Sequence, residues 1–377
     1  MYKKIFLEDI PSLKEYSKSK ICFPMDYDQD LAFIGECIRV EGSLNRGTKN
    51  MSFGNSDVSL LKEVERILTK FNCHIYRTLH ISVNIPQDIE KKYIRIVDLD
   101  SNVCKPKFGI RNSRRFGKDK CELIFIESKI TYNSQKRYRI FLKSEFADLT
   151  ILIPESSRIV MSLKGASAVI QFIFANYALR EVFKSILEIP EGRKSKIIRI
   201  PEILFDSPNE IVSSAISAVI ACEGFVVYQK PPRSNRSIGI EMTSKEYLAG
   251  LKKLLDQLEI ISYTNERNNR KIYSLHLYGK ENLFRLKQLV NFIEPKKRNK
   301  FYYMLSTYRD FNDKDKSESL TIGAIKSLYN KSSIKSIAKV IGRKERTTKT
   351  YLGRLIQEGK VISSKTRPAV YSLPEES

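Results

Sequence analysis

Two glutamates stand at the ends of similar apolar stretches, Glu41 in Ile34-Gly-Glu-Cys-Ile-Arg-Val-Glu-Gly42 and Glu223 in Ile216-Ser-Ala-Val-Ile-Ala-Cys-Glu-Gly224. Each stretch has the spacing of a buried helix stopped by glycine. A carboxylate on the last turn of such a helix is costly to desolvate unless a cation or water sits beside it. Two such helices packed side by side bring Glu41 and Glu223 to the same end of one interface. That arrangement is a cradle for a divalent metal, and carboxylate oxygens suit a hard cation such as Mg²⁺ or Mn²⁺.

The elements after each motif repeat as well. The first motif helix begins at Asp28, and a hairpin follows from Leu44–Arg46 to Met51–Phe53. The cluster Asn55-Ser-Asp57 then caps an amphipathic helix through Phe71. In the second half a 208–223 helix precedes strands Phe225–Tyr228 and Ser237–Met242. Thr243-Ser244 caps a helix to Leu258; strands Ile260–Tyr263 and Ile272–Leu277 and a helix from Gly279 to Phe292 complete the unit. The order αββαββα is an internal duplication.

Residues 80–160 hold strand-like runs (Tyr93–Val97, Glu122–Ile126, Tyr138–Leu142, Leu149–Ile153) around a basic loop, Lys105–Lys120. Its cations include Arg111, Arg114, Arg115, Lys118 and Lys120. The loop reads either as a solvated charged segment or as a contact to a nucleic-acid backbone. A helix is expected over roughly 163–187. The polar stretch 310–316 reads as a linker, and 317–377 as a separate module. Helical runs there at about 318–329, 333–340 and 345–358 precede a strand, a basic turn and a strand.

These residues resemble two families. The paired helices ending in Glu-Gly, each opening an αββαββα unit, are similar to the LAGLIDADG homing endonucleases of the two-motif, single-chain type. Glu36 and Val40 depart from that pattern, standing where the family usually has Gly or Ala in the helix contact. The C-terminal module resembles a winged helix-turn-helix. The expected fold is α+β: pseudo-symmetric tandem αββαββα repeats, the first half elaborated, plus a small winged-helix domain. The boundaries are a lead-in at 1–27, the first repeat with its basic insertion at 28–187, the second repeat at 188–309, the linker at 310–316 and the winged module at 317–377.

The resemblance implies two curved sheets on double-stranded DNA, with Glu41 and Glu223 as catalytic acids. Both acids would ligate Mg²⁺ or Mn²⁺, with Gly42 and Gly224 beside them. DNA contacts fall on Arg46, Lys49, Lys230, Arg233, Arg236, Arg267 and Arg270 in or beside the strands and turns, and on Arg111, Arg114 and Arg115 in the insertion. In the winged module they fall on Arg343, Lys344, Arg346, Thr347, Thr348, Lys349 and Arg354 of the recognition helix, with Lys365 and Arg367 on the wing. The supporting basic residue of the family matches no position. The expected activity is site-specific, metal-dependent double-strand DNA cleavage. Two alternatives stand beside it: a non-cleaving transcription regulator on the same fold, and an RNA maturase.

Composition agrees with a polyanionic partner. Among 377 residues there are 66 Lys+Arg against 43 Asp+Glu, a formal net charge of +23. So large an excess points to nucleic acid, DNA or RNA. No apolar run approaches the roughly 20 residues that span a bilayer, and the start lacks a signal-peptide core. No membrane is expected, and the place of action is the cytoplasm, at the nucleoid. The six cysteines form no C-x-x-C pair and only three His are present, which argues against zinc. With both repeats in one chain, a monomer is expected.

Overall fold

The computed structural model describes residues 3–374 apart from 14–20, 87–88, 102, 105–106, 113–119, 129, 144, 230–234, 268–271, 309–313, 329–331 and 365–367. The chain forms two compact units, Met1–Leu305 and Ser306–Ser377. Among the described residues no helix is long and apolar enough to cross a membrane.

The first unit opens with a short pair, β1 (Lys4–Ile5) on β2 (Met25–Asp26). Helix α1 (Gln29–Val40) starts where the Asp28 carboxylate accepts the Leu31 N–H at 2.8 Å, closing one of the open donors of the first turn. Strands β3 (Ser43–Leu44) and β4 (Asn50–Asn55) follow, and Asp57 caps α2 (Val58–Lys70) in the same way. Strand β5 (His74–Pro86) comes next, then an inserted group: β6 (Ile94–Asp98), β7 (Val103–Cys104), β8 (Phe108–Asn112), β9 (Lys120–Ser128), β10 (Ser134–Leu142), β11 (Glu145–Ile153) and β12 (Val160–Met161). Strand β13 (Ala166–Ala175) and α3 (Tyr177–Ser185) close the first repeat.

The second repeat begins with α4 (Glu202–Phe205) and α5 (Asn209–Glu223). It continues through β14 (Gly224–Tyr228), β15 (Arg236–Met242), α6 (Lys245–Gln257), β16 (Tyr263–Arg267), β17 (Ile272–Tyr278) and α7 (Lys280–Leu289). Helix α8 (Pro295–Ser306) ends the unit. The second sheet has the order β14-β15-β17-β16, and the first β3-β4-β13-β5-β9-β8. Strand for strand, β3, β4, β13 and β5 correspond to β14, β15, β17 and β16. The insertion therefore enters at the hairpin between the third and fourth strands. It lengthens the first sheet by β9 and β8 and adds a separate five-stranded sheet, β12-β11-β10-β6-β7. The fold is α+β with tandem αββαββα repeats.

Three expectations change. Residues 163–187 are not one helix: Ala168, Ile170, Phe172 and Phe174 are buried at every second position, the two-residue period of strand β13, and only α3 is helical. Strand β5, with Leu79, Ile81, Val83 and Ile85 buried in alternation, is an element that the hydropathy reading passes over. The strand expected at Ile260–Tyr263 instead occupies Tyr263–Arg267.

The second unit runs α9 (Lys314–Ser327), β18 (Ser332–Ser333), α10 (Ile334–Val340), α11 (Glu345–Gln357), β19 (Ile362–Ser363) and β20 (Val370–Ser372), with the antiparallel sheet β18-β20-β19. Helix α9 starts inside the stretch 310–316 that the sequence marks as linker. Ala324, Ile325, Ile337, Leu352, Leu355, Val361 and Tyr371 form the core. Gly359 (φ +71) follows α11 in the left-handed conformation that ends helices.

Candidate metal centre and nucleic-acid interface

Helices α1 and α5 lie side by side in the same direction. At their starts Ser214 Oγ donates to the Gln29 carbonyl at 2.8 Å, and further along Cys37 Sγ and Cys222 Sγ are 3.9 Å apart. Both helices are buried around most of their girth, which suits apolar segments held between two repeats. The two Glu-Gly ends therefore fall together. Glycine is required at both by close approach: a Cβ on Gly42 would lie 2.7 Å from the Ser52 carbonyl oxygen, and one on Gly224 would lie 2.6 Å from that of Ile220. This lets the chain leave each helix directly into a strand. Both glycines have this packing role.

Glu41 and Glu223 are largely desolvated. Burial pushes the Glu41 carboxyl up to about 7; a hydrogen bond from Asn55 opposes this, and the Glu223 charge adds to it. Burial also raises Glu223, and the Lys297 ammonium offsets part of that rise. Asn55 Nδ2 donates to Glu41 Oε2, and the Asn55 Oδ1 accepts the Asp57 N–H at 2.7 Å, so the amide is fixed from both ends. Lys297 Nζ donates to the carbonyls of Ile220 (3.1 Å) and Ala221 (2.7 Å) and pairs with Glu294 at 3.1 Å. It places a positive charge at the negative end of α5, where a carboxylate is otherwise disfavoured. Neither Asn55 nor Lys297 stands out as a site residue in the sequence. Asn55 reads there as part of a capping cluster, and Lys297 as one member of Lys296-Lys-Arg298.

The donor set fits a hard divalent cation. Two carboxylates brought together out of water carry a cost that a cation relieves. Among the described residues no group of three His, Cys, Asp or Glu surrounds the pair. The pair itself is a set that Mg²⁺ can take, since that ion commonly keeps several waters and binds one or two carboxylates plus substrate phosphates.

The departure at Glu36 in the first motif has a separate explanation, which involves its neighbour Arg39. Arg39 is fully buried; its Nε donates to Glu36 Oε1 at 2.8 Å, and its other nitrogens donate to the carbonyls of Arg199 and Leu187. Tyr247 Oη of α6 donates to Glu36 Oε2, and Lys194 donates to the Ile38 carbonyl. Burial pulls the Lys194 ammonium down to about 7. This network ties α1 to the segment joining the repeats and to the second repeat. Gly35, beside Glu36 in the motif, makes room for Leu187 of that segment.

The basic residues scatter more widely. Arg46 and Lys49 are exposed on the β3–β4 turn, with Lys49 Nζ 5.8 Å from the Tyr177 ring centre. Arg111 is held across β8 and β9 by Glu122 at 2.6 Å. Arg236 opens β15 half-buried, in step with Ile238 and Ile240 of the core side. Arg267 ends β16. Arg114, Arg115, Lys118, Lys230, Arg233, Arg270, Lys365 and Arg367 lie outside the described residues, as do the side chains of Lys120 and Arg267.

On α11, Arg346 and Lys349 are exposed, as is Lys344 at its cap, and Thr347 is half-buried. Arg343 precedes the helix and Arg354 lies 3.9 Å from Glu358. Thr348 is a correction: it is fully buried and its Oγ1 donates to the Lys344 carbonyl, because it falls in step with Leu352 and Leu355.

The faces of the sheets opposite the buried residues carry side chains that the sequence reading missed. Thr78, His80, Ser82 and Asn84 alternate with the buried side of β5. On the second sheet Tyr263 and Tyr278 stack at 4.4 Å, and Phe225 meets His276 edge-on at 6.3 Å. Uncharged hydrogen-bonding groups and aromatic rings of this kind can meet base edges.

Part of this region is similar to a known family. Residues 210–291 match the model of the LAGLIDADG-like domain. Over 137 residues the chain is 34% identical to the "Probable translation initiation factor IF-2" of Methanocaldococcus jannaschii, a match covering 34% of this chain. The chain spans 11% of the length of that relative. Among solved structures it is similar to full-length DUF199/WhiA from Thermatoga maritima, with 11% identity, 90% of this chain and 93% of that one covered, and a TM-score of 0.36. The homing endonuclease I-DmoI, in complex with DNA and Mn, aligns at 9% identity over 70% of this chain and 96% of that one, with a TM-score of 0.32. At such scores the overlays add no argument to the chain's own geometry. The match begins within α5 and ends just before α8, so the stretch similar to a LAGLIDADG-like domain takes in Glu223, Gly224 and the second sheet.

Proposed function

We propose that the chain binds duplex DNA on the open faces of its two sheets and cuts the phosphodiester backbone at the acid pair. Glu41 and Glu223 would hold Mg²⁺ or Mn²⁺. The observation that carries this reading is the convergence of the two motif carboxylates at one end of the α1–α5 pair, where burial raises both. The cation, when bound, supplies an activated water and stabilises the leaving oxygen. The protein's part is to hold both carboxylates at fixed helix ends and to orient Glu41 through Asn55. Lysines and arginines contact phosphates, while uncharged strand residues read bases. One chain supplies both halves, so a monomer suffices.

A second reading, a non-cleaving DNA-binding regulator, is favoured by the second unit. Three helices with a three-stranded sheet is the order expected of a winged helix-turn-helix and supports that reading, as do exposed Arg346 and Lys349 on α11. The two readings part on one experiment. A binding site is selected from a random duplex pool and incubated with protein and Mg²⁺ or Mn²⁺, with Glu223→Gln alongside. Cleavage lost in the variant, with binding retained, is the expected outcome. Tight binding without cleavage in either protein would replace the nuclease with the regulator.

A further inference from the structure

The inserted five-stranded sheet has one buried face and one that is unusual for an exposed surface. Ile94, Ile96, Tyr138, Ile140, Leu149 and Ile151 point inward, and Tyr138 meets Phe125 of β9 edge-on at 5.2 Å. The outer face of an antiparallel sheet is ordinarily polar. Here Arg95, Phe141 and Phe146 stand directly opposite one another on β6, β10 and β11. Arg95 Cζ lies 4.5 Å over the Phe141 ring, and Arg139 Cζ lies 4.5 Å over the Phe146 ring. The two rings are 6.2 Å apart, and Phe146 is 59% exposed. Asp148 grips Arg139 through both carboxylate oxygens, at 2.7 and 2.8 Å, and so fixes its guanidinium over the ring. At the neighbouring edge, Lys143 and Lys92 lie over Tyr93.

We propose that this outer face, centred on Phe141 and Phe146 between Arg95 and Arg139, binds single-stranded nucleic acid. Unpaired bases stack on aromatic rings and on guanidinium planes, and cations beside them neutralise phosphates. A duplex hides its base faces and offers nothing to such rings. An apolar protein partner would gain nothing from cations set over each ring, whereas a polyanion suits a chain of net charge +23. The surface lies on a different sheet from the acid pair and uses neither Glu41 nor Glu223, so it goes beyond the duplex-cutting reading.

The test titrates the full chain into labelled oligo(dT) and oligo(U), followed by anisotropy, with a duplex of the same length as control. Phe146→Ala, at an exposed position, should weaken single-strand binding about tenfold, the scale of one lost base stack, and leave duplex binding unchanged. Phe146→Tyr should restore it. Binding of either oligonucleotide that is weakened in Phe146→Ala supports the site, whichever of the two is preferred. Failure to bind both oligonucleotides, or equal affinity in Phe146→Ala and wild type, would overturn it. So would a variant that abolishes self-association in light scattering while leaving oligonucleotide affinity intact.

Discussion

Glu41 is held in its protonated form more firmly than an exposed glutamate, and that has a consequence for stability. Its carboxyl is raised from 4.5 to about 7, mainly by burial. A folded-state pKa above the unfolded one gives stability that is intact below about 4.5 and lost as pH rises through about 7. Replacing the charge should relieve this. In chelator-treated buffer, Glu41→Gln should gain about 2–3 kcal/mol over wild type between pH 4.5 and pH 8, read from urea midpoints, since a tenfold change in proton affinity between folded and unfolded chain is worth about 1.4 kcal/mol. Lys194, lowered to about 7, titrates with the opposite sign in both proteins, so the difference between them isolates Glu41. A parallel pH profile for the two proteins would contradict the buried placement. At this scale the position of the two glutamates and their glycines at helix ends was legible, because a Glu-Gly helix end repeats in sequence. Asn55 and Lys297 were not: each reaches the site from another element, and no local spacing records a contact made by packing.

The elements that hold the site are joined by a buried polar network rather than by small residues alone. Arg39 and Glu36 have 0% and 2% exposure, so each relies wholly on protein partners. Arg39→Met should cost about 3–5 kcal/mol by leaving Glu36 an unpaired buried charge. Tyr247→Phe should cost about 1–3 kcal/mol through one lost donor. Chemical denaturation of both variants checks the order; equal, small losses would mean that the network is not what ties α1 to α6. The sequence presents Glu36 as a departure from a helix-contact pattern, because a single helix does not show which side faces the joining segment and which faces its partner. The motif helices and the second repeat were readable from their periods and caps. Strand β13 was not, since Ala166–Ala175 is apolar enough to suit a buried helix as well as a strand, and only the alternating burial separates the two.

The whole chain joins a duplicated α+β unit to a small basic module, and its charge is spread over both. Removal of 306–377 should weaken duplex binding and flatten its dependence on salt, because each lost phosphate contact releases one fewer counterion, a change of about 0.9 in the log–log slope. An unchanged slope would mean that the second unit makes no phosphate contacts. The inserted sheet was the least readable part of the architecture: β6, β10 and β11 were visible as runs, the two-residue β7 and β12 were not, and the place of all five between β5 and β13 depends on pairings distant in sequence. The central claim concerns the acid pair as a metal centre. The measurement that tests it most directly is Mn²⁺ uptake by the full chain at pH 8, followed by electron paramagnetic resonance, with the Glu41→Gln/Glu223→Gln double variant alongside. The expected result is uptake by wild type and none by the variant over the same concentration range. Equal uptake by both, or none by either, would contradict it.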